Sequence, residues 1–122
     1  MTLIWLAGLL ARENVIEKIH FSWIDEPDFA ARLDAIGRDQ AVICGLEAHV
    51  CVLQTALGLR ERGFAVAVVA DAVASRHPGD RERALARLSQ AGVEIVTAEM
   101  VMFEWLRKGG TPEFKDLLAL IK

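Results

Sequence analysis

Three short runs of continuous apolar residues, at 41–44, 64–70 and 93–97, alternate along the chain with longer stretches whose apolar positions recur every three or four residues. The first kind of pattern predicts buried strands and the second predicts amphipathic helices, at 48–62, 79–91 and 99–108. A fainter extended piece covers 14–18, and a helix is predicted over 27–37, with Pro27 in its first turn. Gly37, Gly63 and Gly92 stand where helices should stop. Thr111 and Pro112 announce a last helix over 113–122, Thr111 as its cap and Pro112 at its first position. Strand–helix units whose strands are apolar throughout imply an α/β fold of three layers, with helices on both faces of a parallel sheet. Ligands in such sheets bind beyond the carboxyl ends of the strands, which is where Gly45, Cys51 and Asp71 fall. Phe103 and Trp105, with Phe114 and Leu117, are expected in the core or at a subunit interface.

Composition narrows the class. With 122 residues, 53% of them hydrophobic and 25% charged, the chain suits one folded domain over its whole length. A net charge of −3 gives no basis for a nucleic-acid or acidic-membrane partner. The basic residues between Arg76 and Arg87 are interleaved with Asp80 and Glu82, as on a solvated helix face. The apolar opening, residues 1–10, has no basic flank or cleavage site of a signal peptide. It is also far shorter than the ~20 residues needed to span a bilayer. It reads as a short helix, with Ile4, Trp5, Leu6, Leu9 and Leu10 as a sticky surface. Cys44 and Cys51, one in a strand and one at a helix start, suit the thiols of a reducing cytoplasm better than a disulfide framework. Their placement also argues against a redox pair, the third reading of the chain.

The chemistry concentrates at the first strand–helix junction. A strand, a breaking glycine at 45 and a cysteine at 51 in the opening of a helix form a layout with a mechanism. The first turn of a helix lowers a thiol pKa through its unpaired N–H groups and the macrodipole. The same N–H groups can hold an oxyanion formed when sulfur attacks a carbonyl. Cysteine is equally a common small core residue, so this pattern alone leaves both readings open. His49, two residues before Cys51, could line a pocket or stand exposed in the first turn. His20, two residues after Lys18, is better placed for the surface than for a cleft. Three scattered histidines without close acids give no metal site.

Gly45-Leu-Glu-Ala-His-Val-Cys51-Val-Leu-Gln-Thr-Ala56 resembles the nucleophile segment of the isochorismatase-like cysteine hydrolases. Glu17-Lys18-Ile-His-Phe-Ser22 resembles the segment carrying that family's catalytic lysine. Val69-Ala-Asp-Ala-Val-Ala-Ser-Arg76 and Thr111-Pro-Glu-Phe-Lys115 agree in the same order. The resemblance covers residues 16–122, and it implies a Rossmann-like isochorismatase fold. It further implies Cys51 as nucleophile, Lys18 as its charged neighbour, and a cis peptide at Leu46–Glu47 within the turn Gly45-Leu46-Glu47. The backbone N–H groups of Val50 and Cys51 would be the oxyanion donors. Glu47-Ala48 stands where much of the family has Thr-Asp, which bears on the substrate more than on the fold.

The family's first strand, ending in an aspartate that acts as general base, has no counterpart here. No acid precedes Glu13. The resemblance is thus to a partial, N-terminally short domain. The function expected is hydrolysis of a C–N or related bond of a small molecule in the cytoplasm, without a cofactor, by a homo-oligomer. The alternative is a catalytically silent remnant or interaction module that keeps the fold. Asp71, at a strand end, could be offered as a substitute base, but capping or pairing with Arg76 suits it better.

Overall fold

The computed structural model describes residues 8–121. Three strands, β1 (Gln40–Leu46), β2 (Ala65–Ala74) and β3 (Glu94–Val96), form one parallel sheet in the order β1-β2-β3. Helices α1 (Pro27–Ile36), α2 (Leu53–Glu61), α3 (Pro78–Gln90), α4 (Ala98–Leu106) and α5 (Pro112–Ile121) flank and follow it. The α/β class and parallel sheet read from the apolar runs are those observed.

The core lies on one face of this sheet. Ala41, Ile43, Val66, Val68 and Ile95 alternate toward that face, where Ala56, Leu59 and Leu88 meet them from α2 and α3. Parallel pairing of Ala41 with Val66, Ile43 with Val68, and Val68 with Ile95 keeps these side chains level. The opposite face is only partly covered: α4 sets Val101 against β2, but Val42 and Leu46 of β1 remain exposed. A groove of about 310 Å³ runs there, lined by Gln40, Val42, Ala65, Ala67, Val101 and Trp105. Among the described residues, nothing pairs with the outer edge of β1.

Three stretches differ from the sequence pattern in kind or by more than two residues. The piece at 14–18 is a 3-10 turn, Arg12–Asn14, running into irregular backbone with no sheet partner. β2 continues past Ala70, because a register shift between Ile43 and Gly45 lets Val73 and Ala74 pair again with Gly45 and Leu46. Gly45 sits at that shift with φ 121°, a conformation a side chain would strain. The helix after β1 opens as a π turn, Ala48–Val52, before α2. Such wide turns are frequent at functional sites.

The apolar opening cannot be followed in full: Ile4, Trp5 and Leu6 lie outside the described residues, while Leu9 and Leu10 are exposed. At the other end, the rings of Phe103 and Phe114 pack 6.2 Å apart. Trp105 and Leu120 stay largely exposed beside them.

Candidate active site

The turn after β1 carries the sequence's densest chemistry to the carboxyl end of the sheet. The Leu46–Glu47 peptide is cis. Glu47 then turns its carboxylate to Arg76, accepting from the backbone N–H at 3.2 Å and from the guanidinium at 3.0 Å. Burial works to raise its pKa, but the hydrogen bonds and charge of Arg76 outweigh this and hold the carboxyl below its ordinary value. Arg76 is therefore the partner of Glu47 and not of Asp71. The Asp71 carboxylate accepts from the N–H of Ala98 at 2.8 Å, at the first turn of α4. That is a helix-capping role of the kind expected for it.

Cys51 lies in the π turn, half-buried, with a free thiol. Lys18 reaches it across 33 residues of sequence, and its Nζ donates to Cys51 Sγ at 3.4 Å. The same ammonium donates to the carbonyls of His20 at 2.9 Å and Phe21 at 3.3 Å. It also lies 5.8 Å from the centre of the Trp23 ring. The two residues singled out for chemistry are thus brought together.

What docks the Lys18 segment is a set of residues the sequence reading did not single out. Thr55 and Gly58 follow Cys51 by four and seven positions, which places them along one side of the helix. The Trp23 N–H donates to Thr55 Oγ1 at 3.0 Å, and the buried Ser22 hydroxyl donates to the Gln54 carbonyl at 3.4 Å. A Cβ on Gly58 would come within 3.3 Å of the Ile24 side chain, so glycine there permits the close approach. Their small and hydroxyl side chains at helical spacing mark a face of close approach, but not the segment that docks on it.

The remaining sequence-predicted residues are placed as follows. His49 Nδ1 lies 2.8 Å from Ser75 Oγ, and Nε2 lies 3.8 Å from Asp80 Oδ2. The ring is partly buried, and it ties the π turn to the residue that follows β2 and to α3. The exposed His20 ring meets Glu26 Oε1 at 2.9 Å, and its contribution to the Lys18 site is its backbone carbonyl. The Val50 N–H already donates to the Glu47 carbonyl at 3.2 Å. An anion could reach it only by sharing that bond.

Glu26 accepts from the N–H groups of Ile19 and His20, each at 2.8 Å, and from the His20 ring. Its pKa is lowered to about 2, first by the His20 backbone bond, then by the His20 ring and the Ile19 N–H, against a small burial effect. A depressed carboxyl pKa stabilises the fold fully above the ordinary 4.5 and loses that contribution as pH falls through about 2. The difference in thermal midpoint between wild type and Glu26→Gln, followed by circular dichroism, should have its full value just above pH 4.5. It should shrink steadily on acidification toward pH 2.

No group of three or more His, Cys, Asp or Glu among the described residues is placed to hold a metal ion. No helix among them is long and apolar enough to cross a membrane.

A parallel α/β domain that holds a lysine against a cysteine at the opening of a helix, beyond the carboxyl ends of its strands, has the architecture of the isochorismatase-like proteins. The chain belongs to the isochorismatase domain family, which matches residues 6–100. It is 39% identical over 110 residues to the secreted isochorismatase effector Isc1 of Phytophthora sojae, covering 89% of this chain and 52% of that protein. The structure of the MAR1 ribonuclease of Caenorhabditis elegans matches with a TM-score of 0.87 and 36% identity, over 99% of this chain and 62% of that one. The YCAC gene product of Escherichia coli, described as an octameric hydrolase of unknown specificity, matches with a TM-score of 0.70 and 29% identity. That match covers 84% of this chain and 57% of the other. The chain therefore spans about half the length of the curated relative it matches.

Proposed function

We propose that the domain is a cysteine hydrolase of the isochorismatase family, acting on a C–N or related bond of a small molecule with Cys51 as nucleophile. The observation that carries this reading is the 3.4 Å contact between Lys18 Nζ and Cys51 Sγ at the opening of a helix. A cation beside the sulfur favours the thiolate, which is the attacking form. Sulfur adds to the carbonyl carbon, the carbonyl oxygen becomes an oxyanion held by the Cys51 N–H and the shared Val50 N–H, and the C–N bond breaks. The amine leaves with a proton, and water then cleaves the thioester. That proton traffic needs an acid. Among the described residues no carboxylate hydrogen-bonds to Lys18 or Cys51. This reading therefore requires a carboxyl group brought to Cys51 from outside the described residues.

The lack of such a carboxylate among the described residues favours a second reading, a catalytically silent domain that keeps the fold and an interaction surface. Ammonia release from a panel of small primary amides, nicotinamide included, separates the two. Turnover that disappears in Cys51→Ser supports the hydrolase. No ammonia release above background from any of the amides supports the silent domain.

Two thiols without disulfide partners suit a reducing cytoplasm, although one relative's name places it outside the cell. Exposed Val42, Leu46, Trp105 and Leu120, together with the open β1 edge, favour assembly into a homo-oligomer. Sedimentation should give a mass above that of one chain, rising with concentration; a concentration-independent monomer would count against it.

A further inference from the structure

We infer that Glu26 is a positioning residue for Lys18: its carboxylate folds the 18–21 loop around the lysine ammonium and so holds that charge against Cys51. The inference rests on the proposed role of the Lys18–Cys51 pair and names the group that builds it.

Geometry makes the case in three steps. An ammonium has three N–H donors, and among the described residues Lys18 has three partners: the carbonyls of His20 and Phe21 and the sulfur of Cys51. Amide N–H groups of the same short loop are themselves donors and cannot pair with the cation, so they need an acceptor of their own. Glu26 Oε1 collects two of these, from Ile19 and His20 at 2.8 Å each, and the His20 ring as well. The loop is thus gripped from both sides, by a cation within and an anion behind.

Apolar packing does not explain the loop's shape. Ile19 is 90% exposed and Phe21 59% exposed, and residues 15–22 have neither helix nor strand. With so little apolar area removed from water, charge-assisted hydrogen bonds are the larger force on this segment.

The ordinary role for an acid at this position is also declined. Glu26 is the N-cap of α1, where a carboxylate would normally accept from its own helix, yet its side chain makes no capping bond. It turns back to the Lys18 loop instead. Pro27 at the head of α1, and the packing of Trp23 on Phe29 at 5.3 Å, give the carboxylate a firm base.

Two readouts test this on the full chain: acylation of Lys18 by an N-hydroxysuccinimide acetate ester, followed by peptide mass spectrometry, and alkylation of Cys51 by iodoacetamide. In Glu26→Ala, Lys18 should acylate about tenfold faster, the scale of losing a charge-assisted hydrogen bond. Cys51 alkylation should fall to the rate of Lys18→Met, and the double variant should fall no further, as for residues acting through one another. Glu26→Gln keeps an acceptor oxygen but loses the charge, and should restore part of the protection. Glu26→Asp withdraws the oxygen by one methylene and should release Lys18 in part, which serves if the alanine variant fails to fold. Unchanged Lys18 acylation in folded Glu26→Ala or Glu26→Asp overturns the inference, as does an additive loss in the double variant. If Cys51 is inert in the wild type, the nucleophile reading fails, while release of Lys18 by Glu26→Ala still supports the clamp.

Discussion

Cys51→Ser, made in a Cys44→Ala background, is expected to abolish the burst of p-nitrophenolate that the parent releases from p-nitrophenyl acetate. The parent should release one equivalent per chain, as the thiolate takes the acetyl group and p-nitrophenolate leaves. This first half-reaction needs no general base, because the leaving group departs as an anion, so it reads the nucleophile alone. Serine differs from cysteine by one atom and should disturb the half-buried π turn little. A neutral hydroxyl without a base is nevertheless a poor nucleophile, and acylation should slow by a factor on the order of 10³ or more. Stopped-flow absorbance gives the rate, and an intact-mass increase of one acetyl group locates the product. An undiminished burst in Cys51→Ser would assign the chemistry elsewhere.

Lys18→Met is expected to slow the same burst by about 10- to 100-fold while leaving most of the fold intact, the range spanned by removing one charged partner from a reacting group. Methionine keeps the stem's length and packing against Trp23 and removes only the cation. Three hydrogen bonds disappear, two of them to loop carbonyls, so a small fall in thermal midpoint should accompany the change. The ratio of the two effects is informative. A large fall in rate with a small fall in stability marks Lys18 as acting on the sulfur, whereas comparable falls mark it as a structural tie for the loop.

Much of this site was legible before any coordinates. The nucleophile turn could be read because its signals are local: a short apolar strand, a glycine that breaks it, and a cysteine at fixed distance in the helix that follows. The sheet was legible for the same reason, since its parallel strands carry continuous apolar runs, even though Val42 and Leu46 on the second face of β1 are exposed. The β2 boundary was missed because pairing resumes after a register shift, and Asp71 inside the shift looked like a strand end. The π turn was missed because its residues, Ala48–Val52, carry an ordinary helical pattern. Glu26 and Thr55 were missed for a deeper reason. Their importance lies in what they touch, and contacts between Trp23 and Thr55, or between Ile19 and Glu26, are set by tertiary docking that no local spacing records.

His49 shows the intermediate case. Its position two residues before Cys51 marked it as interesting, but its partners, Ser75 and Asp80, come from the end of β2 and the start of α3. The sequence could name the residue and not its occupation. Arg76 is similar: a basic residue beside a strand end suggested an acid nearby, and the structure supplies Glu47 in place of Asp71.

The most direct test of the central claim is the rate of Cys51 alkylation by iodoacetamide in the folded protein, with Cys44 replaced by alanine, against the same chain unfolded in urea at the same pH. An assembled nucleophile site predicts faster reaction in the folded state, because Lys18 Nζ is held 3.4 Å from the sulfur, and the advantage should vanish in Lys18→Met. A folded-state rate equal to or below that of the unfolded chain would contradict the account and leave Cys51 as a half-buried thiol with a lysine beside it.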